Sequence, residues 1–169
     1  QLLVQAGYPN GFSTEIYCSS GTTQQAVASV LQAQLGEIGI NAQIQSLDTA
    51  TFNAGILPGG SYPLGVMGWG GYFIGPDNAM RSIFYSTGQM NFSNLDDPYI
   101  DNLLDEALGE TDQDRRNQLY GELQDYVVEL ATWLPIAIEQ TNIGVSADLE
   151  GYEDPFGVFH HLRNLYIVE

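Results

Sequence analysis

The sequence contains no lysine. Its only cations are Arg81, Arg115, Arg116 and Arg163, set against 21 acidic residues for a net charge of −17. The acidic share is ordinary, so the imbalance comes from missing bases and not from an acidic tail. Nucleic-acid binding needs a basic footprint, and a surface of this sign repels phosphates. An anionic membrane face is repelled for the same reason. No nucleic-acid partner is therefore expected. The charge reads first as a solubility device in an exported protein, and second as adaptation to a salty milieu.

Cysteine is nearly absent too. The single Cys18 excludes an internal disulfide and any cysteine-based zinc cluster. It ends an apolar strand pattern, so a small buried residue is expected there and not a reactive thiol. No run of 18 apolar residues occurs, and no transmembrane helix is predicted. Internal repeats and low-complexity segments are also missing. What is present suffices for a core. At 169 residues the chain has the length of one domain, and 44% of it is hydrophobic.

The periodicity changes along the chain in an orderly way. Leu2 to Ala6 has the look of a last helical turn, stopped by Gly7. Phe12 to Tyr17 alternates with period two, as a strand does. Thr23 to Ile38 carries Val27, Val30, Leu31, Leu35 and Ile38 on one helical stripe. Ala42 to Leu47 alternates again, with Ala42, Ile44 and Ser46 on one side. Asp48 or Thr49 caps a short helix through Ile56, and Pro58-Gly59-Gly60 breaks the chain. Leu64 to Trp69 is a continuous apolar run, as expected of a strand buried on both faces. Strand, helix, strand, helix, strand is the rhythm of a parallel α/β sheet.

The second half reads as mostly helical. Pro76-Asp77-Asn78 turns into a helix. Asp97 and Pro98 open the next one, with Ile100, Leu103, Leu104 and Ala107 as its stripe. Thr111, with Asp112 and Asp114 behind it, opens a long helix to about Leu130. Its buried face is predicted to carry Leu119, Leu123, Tyr126 or Val127, and Leu130. Trp133 to Ile138 and Asn142 to Val145 read as extended segments, and the chain after Gly151 is aromatic and turn-rich.

Few constellations carry chemistry. Asp97, Asp101 and Asp105 share a helix face at four-residue spacing, but a solvated face explains them better than a Ca²⁺ site. His160 and His161 are adjacent and point apart in an extended segment, so they make a poor metal pair. No metal or other cofactor is expected. Gly68-Trp69-Gly70-Gly71 follows a strand, yet position 73 is Phe and no lysine follows, which excludes both common phosphate loops. Ser19 and Ser20 lack the G-x-S-x-G elbow of a hydrolase, and no nucleophile–base pair is evident, so no enzyme is expected. Asn91-Phe92-Ser93 matches the N-glycosylation pattern. What remains is Trp69 to Phe73, a glycine-bracketed aromatic loop. It follows the carboxyl end of a strand, where α/β folds bind ligands. Glycine permits close backbone approach, and the aromatic rings offer stacking surface.

Taken in order, LLVQAGYPNGF, LQAQLGEIGINAQIQSLD, GVMGWGGYF with GPDN, LDDPYIDNLLDEA, TDQDRRNQLYGELQ and WLPIAIEQTNIGV resemble the C-terminal lobe of the family 5 extracellular solute-binding proteins. Those are the dipeptide, oligopeptide and nickel-type receptors of ABC importers. The resemblance covers essentially the whole chain. It implies an α/β lobe of a type II periplasmic-binding-protein-like fold, in a receptor outside the cytoplasm that is secreted or lipid-anchored. Two lobes close on a peptide or other small solute and deliver it to a membrane permease. It further implies that residues 1–139 are the ligand-binding C-terminal lobe and that 140–169 pack on a first lobe outside this sequence. Without that lobe, the segment is expected to fold differently onto this one or to mediate dimerisation.

The resemblance assigns the ligand wall to Trp69, Gly70, Gly71, Tyr72 and Phe73, with Cys18, Ser19 and Ser20 from the turn after the first strand. Many peptide-binding members carry an aspartate three residues after the tryptophan, where it pairs with the ligand's α-amino group. Here that position is Tyr72, which can stack or hydrogen-bond but cannot neutralise an ammonium. The stretch Cys18 to Gly21 offers no arginine to a ligand carboxylate. A neutral or sugar-like ligand, or a peptide held mainly by the other lobe, follows from these departures. A peptide-sensing or chaperone-like relative of the same fold is the alternative.

Overall fold

A computed structural model of the protein describes residues 1–57, 60, 62–68, 75–138, 142–152 and 162–168, without the side chain of Thr22. The chain divides into two compact units, residues 1–69 with 82–98 and residues 70–81 with 99–169.

The first unit is built on a parallel three-stranded sheet. Central β1 (Phe12–Ser19) lies between β2 (Ile40–Leu47) and β3 (Leu64–Val66). β1 pairs with β2 along its whole length, from Phe12 opposite Ile40 to Ser19 opposite Leu47. Only Ile16, Tyr17 and Cys18 pair with β3, opposite Leu64, Gly65 and Val66. A short α1 (Leu2–Gln5) precedes the sheet. α2 (Thr22–Glu37) connects β1 to β2, and α3 (Thr49–Ile56) connects β2 to β3. Parallel neighbours need such crossovers, and the alternation read from the sequence supplies them.

The core of this unit lies on one face of the sheet. Ile16, Cys18, Ala42 and Val66 pack against Ala28 of α2, and Val27, Leu31, Leu35 and Ile44 close the cluster. Burying an aliphatic side chain of this size contributes about 1.5–3 kcal/mol. The helical stripe is rotated from the sequence expectation. Ala28 is buried, whereas Val30 is 57% and Ile38 is 58% exposed. A small residue lets α2 approach the strands closely, and that moves the buried arc toward Ala28. β3 also differs from expectation. Among the described residues it is an edge strand, paired with β1 alone, with Leu64 exposed and Val66 buried. On the other face Tyr17 stacks on Tyr62 at 3.9 Å, and Tyr62 lies over Phe52 of α3.

Two loops at the amino end of the sheet meet backbone to backbone. Gly11 has φ +73°, and a methyl group there would sit 1.8 Å from the Gly39 carbonyl oxygen. Only glycine combines that left-handed φ with that approach. Asn91, 3% exposed, organises the loop after the sheet. Its amide donates to Ser86 O and Leu95 O and its carbonyl accepts from Leu95 N–H. That engagement leaves the glycosylation pattern with no free amide.

In the second unit, α5 (Pro98–Gly109) buries Ile100, Leu103, Leu104 and Ala107, the stripe the sequence predicts. α6 (Gln113–Glu129) starts at Asp112, whose carboxylate accepts from Arg115 N–H, and buries Leu119, Tyr120, Leu123 and Val127. Leu130 is 37% exposed and Tyr126 half-buried, so the predicted stripe holds in its first two members and resolves to Val127 in the third. Trp133 to Ile138 and the 142–145 stretch form no ladder among the described residues. With no strand to pair with, Leu134 and Ile138 stand 70% and 97% exposed. Further on, β4 (Leu149–Glu150) and β5 (Tyr166–Ile167) form a two-residue antiparallel pair.

Candidate functional site

Parallel pairing brings the carboxyl ends of β1 and β3 to one end of the sheet. Cys18 lies opposite Val66, so Ser19 and Ser20 emerge beside Met67 and Gly68. That end is where an α/β sheet presents its loops to ligands. The three predicted residues of β1 and its turn differ in what they present there. The Cys18 side chain is fully buried in the core. Ser19 is half-buried, and Ser20 is exposed with its N–H donating to Leu47 O at 2.8 Å. Trp69, Gly70, Gly71, Tyr72 and Phe73 lie outside the described residues, as do His160 and His161.

Sequence reasoning missed a residue at this sheet end. Gln24, in the first turn of α2, extends its carboxamide over Gly21 and toward Gly68. A methyl group on Gly21 would meet Gln24 Oε1 at 2.5 Å, and one on Gly68 would stand 3.7 Å from Gln24 Nε2. Gly21 leaves the room that the amide occupies, whereas a methyl group on Gly68 would make only ordinary contact with it. The signal was readable: a polar side chain one turn into the helix that follows a strand points back to the strand's end. Asp48, after β2, ends at the same side of the sheet. It is engaged as the cap of α3, with its carboxylate accepting from Ala50 and Thr51 N–H and from the Thr51 hydroxyl. The Thr51 hydroxyl and N–H bonds hold that carboxyl below the usual range.

A second polar cluster lies in the other unit, at the start of α4 (Pro76–Phe84), which follows Gly75 at φ +116°. Arg81 Nε and Nη2 donate to Asp77 at 3.3 Å, Nη1 donates to Asp105 at 2.8 Å, and Nη2 reaches Leu104 O at 2.6 Å. Tyr120 Oη donates to the same Asp77 at 3.2 Å. Burial, then the Asp77 carboxylate, raises the Tyr120 phenol above its usual range. Desolvation works against the Arg81 charge, and its bonds to Asp105 and Asp77 outweigh it, so the guanidinium is held more firmly protonated. Beside the cluster Pro76, Asp77, Ala107, Arg116 and Tyr120 line an open cleft of about 460 Å³. Among the described residues no helix is long and apolar enough to cross a membrane, and no three His, Cys, Asp or Glu gather as metal ligands would.

The strand order, the parallel register and the ligand-side loops define one lobe of a type II periplasmic binding protein. In solved form, the ABC transporter-associated binding protein DppA from Helicobacter pylori, in complex with the peptide STSA, superposes with a TM-score of 0.86 at 26% identity. That superposition covers 99% of this chain and 33% of DppA. The chain belongs to the bacterial extracellular solute-binding proteins, family 5, whose middle-region profile matches residues 1–91. Heme-binding protein A of Haemophilus influenzae is 30% identical over 165 residues, covering 93% of this chain and 30% of that protein. Glutathione-binding protein GsiB of Escherichia coli strain K12 is 30% identical over 161 residues, covering 90% and 31%. The chain thus spans about a third of the length of these relatives.

Proposed function

We propose that this chain is the C-terminal ligand-binding lobe of a substrate-binding protein that serves an ABC importer outside the cytoplasm. The observation that carries the reading is the parallel pairing of Cys18 with Val66, which delivers Ser19, Ser20 and Gly68 to one sheet end within a family 5 fold. Trp69 to Phe73 continue from Gly68 and, with Ser19 and Ser20, form one wall of the ligand cleft. Cys18 contributes its backbone, since its side chain is in the core. The protein acts by binding and not by turnover. Two lobes hinge shut over a small solute, and the closed form is what the permease accepts. Relatives named for glutathione and found with a peptide support a peptide-like solute as the first class to test, and the heme-named relative widens the panel beyond it.

Residues 140–169 are proposed to pack on the first lobe. Ile143, Val145, Ile167 and Val168 are exposed here, as apolar residues awaiting a partner surface would be. In the isolated lobe the same residues favour self-association.

A thermal-shift screen of the full-length parent with glutathione, the peptide Ser-Thr-Ser-Ala, sugars and metal chelates tests the binding claim. A ligand that binds only the folded state raises the melting temperature by mass action. Small-angle scattering with the hit then tests hinge closure, which requires a smaller radius of gyration in the bound state. A panel with no hit, or a hit that leaves the dimensions unchanged, argues against binding or closure respectively.

A further inference from the structure

We propose that Gln24 is a specificity-determining residue of the ligand cleft, where its carboxamide hydrogen-bonds an uncharged amide group of a peptide-type ligand. The proposal rests on the reading of this sheet end as ligand-facing and adds to it a residue and a preferred chemistry.

Three observations carry it. First, the carboxamide sits where two strand ends meet. Its oxygen lies over Gly21, at the turn after β1, and its nitrogen stands near Gly68, at the exit of β3. Second, the amide has no hydrogen-bond partner among the described residues, in contrast to its neighbours. Gln25 donates to Ser46 Oγ at 2.7 Å and Gln32 donates to Ala42 O at 2.7 Å, so both tie α2 to β2. Gln24 therefore does no comparable structural work. Third, the described residues placed beside it are uncharged. Ser19, Ser20, Gly21 and Gly68 supply hydroxyls and backbone, and the one nearby carboxylate in sequence and sheet position, Asp48, is committed to capping α3.

A primary carboxamide carries two donors and an acceptor with two lone pairs. It can receive a ligand N–H on its oxygen and give its own N–H to a ligand carbonyl, which are the two groups of a peptide unit. A site of this kind selects for a neutral amide and offers nothing special to an ammonium or a carboxylate. That fits the stretch from Cys18 to Gly21, which contains no charged residue.

The test uses the full-length parent, with titration calorimetry against Ser-Thr-Ser-Ala and glutathione and with melting temperature as a control. Gln24→Ala is expected to weaken whichever probe binds by about tenfold, the loss of a hydrogen-bonded pair. Its ligand-free melting temperature should stay at the wild-type value, because the amide holds no part of the fold together. Gln24→Glu, which keeps the shape but loses the donor, is expected to weaken binding at least as much. Unchanged affinity in Gln24→Ala, with the wild type binding, overturns the inference alone. A fall in ligand-free stability that accounts for the lost affinity also overturns it. A wild type that binds neither probe overturns the peptide reading and the inference together.

Discussion

The two units are stabilised by different chemistry. The sheet unit has no arginine or lysine, and its acids are Glu15, Glu37, Asp48, Asp96 and Asp97 alone. Its polar links are neutral or single-charged. Gln45 donates to Glu15 at 2.9 Å, Tyr17 donates to the other oxygen of Glu15 at 2.7 Å, and Gln25 and Gln32 reach β2. The helical unit holds all four arginines and the other sixteen acids. Its ion pairs are Arg81 with Asp77 and Asp105, and Arg115 with Glu106, among the described residues. The scarce cations are thus placed where acids are densest. Each positive charge there relieves like-charge repulsion as well as making its own bond. The sheet unit carries five acids and no base, but its acids are far fewer than the sixteen of the helical unit.

Breaking the apolar cores should have the largest effect and should be local. Ile16→Ala in the sheet unit and Leu104→Ala in α5 each empty a fully buried site and are expected to cost about 2–5 kcal/mol. Hydrogen exchange should rise first in β1 and β2 for the former and in α5 and α6 for the latter. Equal acceleration throughout by both variants would mean that the units do not behave separately.

Backbone approach should separate two glycines of the sheet unit. Gly11→Ala meets both a left-handed φ and a carbonyl oxygen at 1.8 Å, so chemical denaturation should show a loss of about 3 kcal/mol. Gly39→Ala has the φ penalty without the clash, its nearest neighbour being at 3.8 Å, and should lose about 1 kcal/mol. Equal losses would locate the whole cost in backbone strain.

Salt should then sharpen the contrast. Arg81→Gln removes charge-assisted bonds to two acids and a carbonyl and is expected to destabilise by about 1–3 kcal/mol at low ionic strength. Asp105, at 57% side-chain exposure, is open to screening, so the penalty should shrink in about 1 M NaCl. Gln45→Ala, which deletes a bond in the sheet unit, should show no comparable salt dependence. The smallest effect is alkaline. Burial and Asp77 raise the Tyr120 phenol, so the folded state retains that proton after the unfolded chain has lost it. The resulting stabilisation is complete below the ordinary phenol range and disappears as pH rises through the raised folded value. Tyr120→Phe should remove that slope in a pH series of melting temperatures.

The legibility of the sequence followed the physics of each element. The α5 stripe was readable because Ile100, Leu103, Leu104 and Ala107 are all apolar and meet a single neighbouring surface. In α2 the buried position is Ala28, too small to stand out beside Val30, and the stripe was misplaced by part of a turn. Tyr120 was not included in the α6 stripe, and its burial goes with a bond from its hydroxyl to Asp77. β3 was read as buried on both faces because its residues are apolar throughout, whereas Leu64 and Gly65 are exposed and only Val66 is buried. At the candidate site, the resemblance pointed to Ser19 and Ser20, and the register puts them at the carboxyl end of β1. Gln24 was overlooked although its place in the first turn of α2 was readable, because its nearness to Gly68 depends on how closely β1 and β3 end together.

The central claim is that Trp69 and its loop face a solute. Titration of full-length Trp69→Ala with the ligand found for the wild type tests it most directly. The account predicts affinity at least tenfold weaker, as expected when a stacking aromatic leaves a ligand contact, with the ligand-free melting temperature close to wild type. Unchanged affinity would contradict the claim.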